Sequence, residues 1–120
     1  MGGPVVAVVP SRFASTRFPG KPLAEIDGVP MVLRVLKQAS KCTTLDQIVV
    51  ATDDERIRRV VEEAHFTAVM TPEDCVSGTD RIAKALPGIS AETPALVVNI
   101  QGDEPMIAPE DIDHLVKETL

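Results

Sequence analysis

Apolar residues come along this chain in two alternating rhythms. Val5–Val9 and Gln47–Ala51 (QIVVA) are short, nearly unbroken runs, as expected of strands buried on both faces. Phe66–Met70 is a shorter third run and Ala95–Ile100 (ALVVNI) a fourth. Between them the spacing is helical. From Pro30 onward, Met31, Val35 and Ala39 share one stripe with Val32 and Leu36 beside it, while Arg34, Lys37, Gln38 and Lys41 fall elsewhere. Thr52-Asp53-Asp54-Glu55 has the spacing of a capping box, and Ile57, Val60, Val61 and Ala64 carry a helix to about His65. Ser77-Gly78-Thr79-Asp80 starts a third helix through Ile82, Ala83, Ala85 and Leu86, which Pro87-Gly88 ends. A last helix begins around Pro109-Glu110-Asp111 and is expected to bury Ile112, Leu115, Val116 and Thr119.

Strands alternating with helices predict an α/β fold: a mostly parallel sheet with helices on both faces. In such sheets ligands bind beyond the carboxyl ends of the strands, near a switch in strand order. The polar segments stand there by sequence position. Residues 10–22 follow the first strand, Thr52-Asp53 the second, Thr71 to Ser77 the third and Gln101 to Pro105 the fourth. The 120 residues suit one modest domain, and no repeat, linker or low-complexity stretch divides them.

Charge changes the picture of the first of these segments. The chain is acidic, with a formal net charge of -6. Yet PSRFASTRFPGKP, residues 10–22, holds Arg12, Arg17 and Lys21 without one carboxylate. Arginine offers a fork to phosphate oxygens and lysine a mobile point charge. Ser15 and Thr16 add hydroxyls, and Gly20 permits close backbone approach. A nucleoside triphosphate is the best candidate anion; a solvated surface loop is the other reading. The Walker A pattern GxxxxGK[ST] is absent.

Three further groups invite chemistry. In Gln101-Gly102-Asp103-Glu104-Pro105, a carboxylate after a buried strand suits Mg²⁺, which takes one or two carboxylates with phosphate oxygens and water. Asp103 fits that role better than Glu104, and a plain turn is the alternative. In Thr71 to Arg81, Ser77 either caps the helix or joins donors near Gly78 and Arg81 around a base or sugar. Asp53 and Asp54 read as helix-start residues rather than ligands. His65 and His114 have no partner pattern and read as structural or exposed.

Composition excludes other classes. The acidic balance argues against broad nucleic-acid binding, and three Phe without Trp or Tyr make no stacking platform. No apolar run reaches the ~18 residues of a membrane span. Met1-Gly2-Gly3-Pro4 opens no secretory signal, and Val6 rules out a lipidation signal at Gly2. A cytoplasmic protein is expected. Cys42 and Cys75 lack metal or disulfide spacing and read as ordinary thiols.

Taken together, four ordered motifs resemble the 3-deoxy-manno-octulosonate (KDO) cytidylyltransferases, or CMP-KDO synthetases. They are the signature P-x-R-x-x-S-x-R-x-P-G-K-P at Pro10–Pro22, IVVATDD at 48–54, MTPEDCVSGTDR at 70–81 and VVNIQGDEP at 97–105. The resemblance runs from Val5 to about Leu120. It implies a Rossmann-like nucleotidyltransferase that uses CTP and Mg²⁺ to make CMP-KDO and pyrophosphate for lipopolysaccharide biosynthesis. By that similarity Arg12, Ser15 and Lys21 contact the CTP phosphates, and Arg17 meets phosphate or sugar-acid charge. Residues around Thr71, Ser77 and Gly78 recognise the nucleotide. Gln101 approaches sugar or nucleotide, Asp103 binds Mg²⁺, and Arg81 assists the sugar carboxylate or the base loop. Arg12, Lys21 and Asp103 would then carry catalysis. Family members are longer and dimeric, so residues 1–120 are expected to be the nucleotide-binding half. By the same resemblance the carboxyl-terminal half, which supplies much of the KDO pocket and a second metal-binding Asp in the family, is expected to lie outside these residues. A different sugar acid such as sialic acid, or a nucleotide-binding fragment without catalysis, are the alternatives.

Overall fold

A computed structural model describes residues 4–11, 23–26, 28–72, 78–85, 96–100 and 108–119. Four parallel strands form the sheet in the order β5-β4-β1-β6: β1 (Val5–Ser11), β4 (Gln47–Thr52), β5 (Thr67–Met70) and β6 (Leu96–Asn99). All four expected runs are strands, and the expected α/β class holds. β1 lies in the middle, with Val6 to Ser11 paired to Gln47 to Thr52 on one side and Val5 to Val8 paired to Leu96 to Asn99 on the other. Asp46 locks the start of that register. Its carboxylate accepts from the Val5 N–H at 2.7 Å and its own N–H donates to the Val5 carbonyl at 2.8 Å.

Side chains of a strand alternate between faces, and both faces of β1 are covered. Val5, Ala7 and Val9 share one cluster with Val50, Val98 and Ile100. Three helices cover it: α1 (Met31–Ala39) through Val32, Val35, Leu36 and Ala39, α2 (Glu55–Glu63) through Ile57 and Val61, and α4 (Pro109–Thr119) through Ile112 and Val116. Val6, Val8 and Ala51 face the other way, against Ile82 and Ala85 of α3 (Gly78–Ala85), with Val69 and Val97 packed beside them. The expectation of helices on both faces is therefore met. On α4 the expectation is corrected at two positions. Leu115 is 56% exposed and Thr119 is also exposed, because only Ile112 and Val116, one turn apart, face the sheet.

Local signals set the element ends. A two-strand hairpin, β2 (Glu25–Ile26) and β3 (Val29–Pro30), was not legible as a strand pair by length, though Asp27-Gly28 is a hairpin-turn dipeptide. Gly28 takes φ +80°, which favours glycine. The hairpin returns the chain so that the Ala24 carbonyl accepts from the first helical N–H of α1, Met31, at 2.8 Å. Pro30 supplies no side-chain cap there. On α2 the capping-box reading is corrected: Asp54, not Thr52, is the N-cap, its carboxylate accepting from Arg56 N–H at 2.8 Å. Thr52 is held back in β4, where it is fully buried and its carbonyl accepts from Thr71 N–H. At the other end His65 takes φ 68°, and the His65 and Phe66 N–H groups donate to Glu62 and Val61 carbonyls, a Schellman closure.

Helix α4 is fastened by one carboxylate. Asp113 accepts from four donors, the N–H and hydroxyl groups of Thr43 and Thr44, at 2.5 to 3.3 Å. These bonds, the Thr44 hydroxyl first, hold its carboxyl below the ordinary 3.8. Beside it the Cys42 thiol, half-buried and 3.6 Å from the Pro109 carbonyl, is pushed up to about 11 by burial and then by the charges of Asp113 and Glu110. A thiol so shifted is unreactive at neutral pH, in keeping with an ordinary structural cysteine. A carboxylate whose folded pKa is lowered adds stability above its unfolded value and loses it as pH falls through the folded one. Stability should accordingly decline below about pH 4. Asp113→Asn should melt lower at neutral pH and show a shallower acid loss; thermal melts from pH 7 to pH 2.5 check both, and parallel profiles would refute the fastening role.

Candidate functional site

The sheet order decides where a ligand fits. From β1 the chain steps outward through β4 to β5, then returns across both to place β6 on the far side of β1. A right-handed crossover puts α1 and α2 on one face for the outward steps and α3 on the other for the return. The strand order therefore reverses between β1 and β6, the position where parallel α/β sheets open a crevice at their carboxyl edge. Ser11 ends β1 directly before Arg12. Ile100, whose N–H donates to the Val8 carbonyl at 3.1 Å, directly precedes Gln101. The basic segment and the Asp103 segment thus start from the two sides of the switch. Beyond the basic segment the chain is anchored by Leu23, packed on the core, and by the Ala24–Met31 bond. Arg12, Ser15, Arg17, Lys21, Ser77, Gln101 and Asp103 themselves lie outside the described residues.

Two other expected residues, Thr71 and Arg81, are brought together, and Gly78 is the first residue of α3. Arg81 is 3% exposed. Its Nη1 donates to Thr71 Oγ1 at 2.6 Å and to the Pro72 carbonyl at 3.2 Å, and its Nη2 reaches Asp53 Oδ2 at 3.4 Å. The period of two explains the meeting. Ala51 and Val69 face α3, so Asp53 and Thr71, two residues on, extend that same face past the ends of β4 and β5. Arg81 immediately precedes Ile82, which packs there.

Asp53 is the partner that sequence reasoning missed. It was read with Asp54 as a helix start, but only Asp54 caps the helix. The signal was its parity with Ala51, visible only once the face covered by α3 is known. A buried pair of this kind is weak evidence for net stability, because desolvation offsets the attraction. It is strong evidence for fixed geometry, since the guanidinium fork ties α3 to the segments after β4 and β5 at once.

On the opposite face at the same edge, Ser11 is 3% exposed and its Oγ has no hydrogen-bond partner among the described residues. Its sheet neighbour Thr52 is occupied, accepting from Asp54 N–H at 3.2 Å. An orphaned buried hydroxyl at a strand end is unusual and is found beside functional sites. Among the described residues no group of three or more His, Cys, Asp or Glu is placed to hold a metal. A shallow depression lined by Cys42, Asp46, Gln47, His65 and Thr67 lies at the opposite, amino-terminal edge, away from these groups.

The cytidylyltransferase family model matches residues 6–120. The chain belongs to the cytidylyltransferase family. It is 46% identical over 116 residues to the 3-deoxy-manno-octulosonate cytidylyltransferase of Pelobacter propionicus, covering 97% of this chain and 44% of that protein. It is 47% identical over 112 residues to an 8-amino-3,8-dideoxy-manno-octulosonate cytidylyltransferase of a Shewanella species, covering 93% and 46%. Its fold superposes, with a TM-score of 0.91 and 38% identity, on a CMP:2-keto-3-deoxy-manno-octonic acid synthetase solved in complex with CTP, covering 98% of this chain and 47% of that one. The resemblance read from the four motifs is borne out at the level of the family and its fold. The chain spans about half the length of the relatives it matches.

Two substitutions test the edge of this cytidylyltransferase sheet. Arg81→Ala takes the guanidinium away from Asp53, Thr71 and the Pro72 carbonyl at once and should cost on the order of 3 kcal/mol, read from urea unfolding; a cost under about 0.5 kcal/mol would mean that the pair is not formed in solution. Ser11→Ala should leave stability unchanged or raise it, because it removes a polar group that gains nothing from burial. A loss of about 1 kcal/mol would reveal a partner for that hydroxyl in solution.

Proposed function

We propose that this chain forms the nucleotide-binding half of an enzyme that transfers CMP from CTP to KDO, releasing pyrophosphate and CMP-KDO. One observation carries the reading: over 98% of its length the chain shares the fold, at a TM-score of 0.91 and 38% identity, of a synthetase solved with CTP bound. The sequence adds the cations of residues 10–22 after β1 and the carboxylate of Asp103 after β6, on the two sides of the strand switch.

The chemistry follows from that placement. The anomeric hydroxyl oxygen of the sugar acid attacks the α-phosphorus of CTP in line. The bond from α-phosphorus to the bridging oxygen breaks, the hydroxyl proton passes to solvent, and pyrophosphate leaves. Catalysis of this kind rests on positioning and on stabilising charge that grows on the leaving group. Arg12 and Lys21 offset that charge, Ser15 donates to the phosphates, and Arg17 meets phosphate or sugar-acid charge. Thr71, Ser77 and Gly78 recognise the nucleotide, and Gln101 approaches sugar or nucleotide. Asp103 would hold Mg²⁺, which would supply charge neutralisation at the α-phosphate. One carboxylate beside a triphosphate is a donor set of the kind Mg²⁺ accepts.

A second acceptor is favoured by a specific observation. The Shewanella relative is as similar as the KDO relative but is named for the 8-amino-3,8-dideoxy sugar acid. Both names belong to the manno-octulosonate class, which supports that class over a sialic acid. The remaining expectations follow the resemblance: a cytoplasmic, homodimeric enzyme of lipopolysaccharide biosynthesis. No helix among the described residues is long and apolar enough to cross a membrane.

Pyrophosphate release with CTP·Mg²⁺, assayed against KDO, its 8-amino analogue and sialic acid in the full-length protein, tests the reading. Release with either octulosonate is the expected result, and release with sialic acid alone would overturn it. Asp103→Asn should lower turnover about a hundredfold or more; near wild-type turnover would refute the metal assignment.

A further inference from the structure

Thr71 stands at a chemically constrained point. A threonine hydroxyl has one proton to donate and two lone pairs to accept with. A guanidinium can only donate. The 2.6 Å contact with Arg81 Nη1 therefore makes Thr71 Oγ1 an acceptor. Its own proton reaches no acceptor among the described residues. Thr71 is 8% exposed and sits immediately beyond the carboxyl end of β5, on the face where α3 packs. A cation bonded to the oxygen polarises the O–H bond, making it a stronger donor and a poorer acceptor for a second donor.

Arg81 owes its own place to two further groups. Nη1 also donates to the carbonyl of Pro72, the residue after Thr71, so the guanidinium grips both residues that follow β5. Nη2 is drawn to Asp53, which follows β4. Arg81 itself lies on α3, three residues after its first residue Gly78. The fork thus ties Thr71 to the start of α3, with the Asp53 carboxylate fixing the far side of its plane. Remove that carboxylate, and the guanidinium can turn about its long side chain. The Thr71 hydroxyl is then free to rotate and to accept rather than donate.

We infer that Thr71 presents a polarised hydroxyl donor to an acceptor atom of the nucleotide, and that Asp53, acting through Arg81, is the positioning residue that holds it in that role. This rests on the reading that the chain binds CTP. It goes beyond it by giving Thr71 a fixed hydrogen-bond polarity and by bringing in Asp53 through its contact with Arg81. The acceptor is an oxygen or nitrogen of the base, the ribose or the phosphates. Titration with CTP, cytidine and inorganic triphosphate separates those sources.

The test is calorimetry of the full-length protein and four variants, each titrated at a temperature where circular dichroism shows it folded. Thr71→Val should weaken CTP binding about tenfold, and Thr71→Ser should restore it. Asp53→Asn should weaken it several-fold. The double variant Asp53→Asn, Thr71→Val should bind no more weakly than Thr71→Val alone, since Asp53 acts only through that hydroxyl. Equal CTP affinity for wild type and Thr71→Val would overturn the inference, as would fully additive losses in the double variant. A purely structural network would lower melting temperatures and leave CTP affinity of the folded variants unchanged, which also overturns it. If Asp53→Asn does not fold, the Thr71→Val and Thr71→Ser pair decides. Failure of the wild type to bind CTP would instead overturn the CTP reading, a result distinct from wild-type binding with unaffected variants.

Discussion

The described elements are arranged around β1, a strand with a neighbour on each edge and helices packed on each face. Burial on both faces requires apolar residues throughout, which Val5 to Val9 supply. No polar side chain can be spent there without a partner. Chemistry is consequently pushed to the strand's carboxyl end, where Ser11 closes β1 directly before Arg12. A register slip of one residue would exchange the two faces of the strand and bury the wrong set. Asp46 opposes that slip with two bonds to Val5 at the start of the β1–β4 pair.

The face that each helix covers then decides which polar groups can meet. The outward run of strands places α1 and α2 on one side, and the return to β6 places α3 on the other. Only because α3 lies there can Arg81 reach past the ends of β4 and β5. The result is a polar knot at the edge of an apolar sheet, with one cation, one carboxylate, one hydroxyl and one carbonyl drawn from three chain segments. Such a knot adds little net stability after desolvation, yet it leaves its members one arrangement. A recognition surface gains from that restriction, because groups held in place before binding lose less freedom on binding.

The acidic residues show how environment divides one chemical type among several tasks. Asp54 caps α2, Asp113 fastens α4 to Thr43 and Thr44, Asp46 sets a register, and Asp53 faces a buried arginine. Each is consumed by a local donor. That use of carboxylates sharpens the contrast with residues 10–22, where three cations stand without an acid between them. The chain's net charge of -6 therefore says little about its ligand, whereas the distribution of charge says a great deal.

The four strands of the parallel sheet, the four helices and the α/β class were legible in the sequence, because burial on both faces writes unbroken apolar runs and helices write a period of 3.6. The family was legible as well, since its motifs are contiguous stretches whose residue order survives without folding. Helix caps were legible only to within two residues: Thr52 and Asp54 are both good caps, and the β4 ladder decided for Asp54 by keeping Thr52 in the sheet. Leu115 looked buried because helical spacing defines a stripe without saying how wide a neighbour covers it. The pairing of Asp53 with Arg81, 28 residues apart, belongs to tertiary structure alone. It depends on which face α3 occupies, and that follows from strand order, which no local pattern encodes.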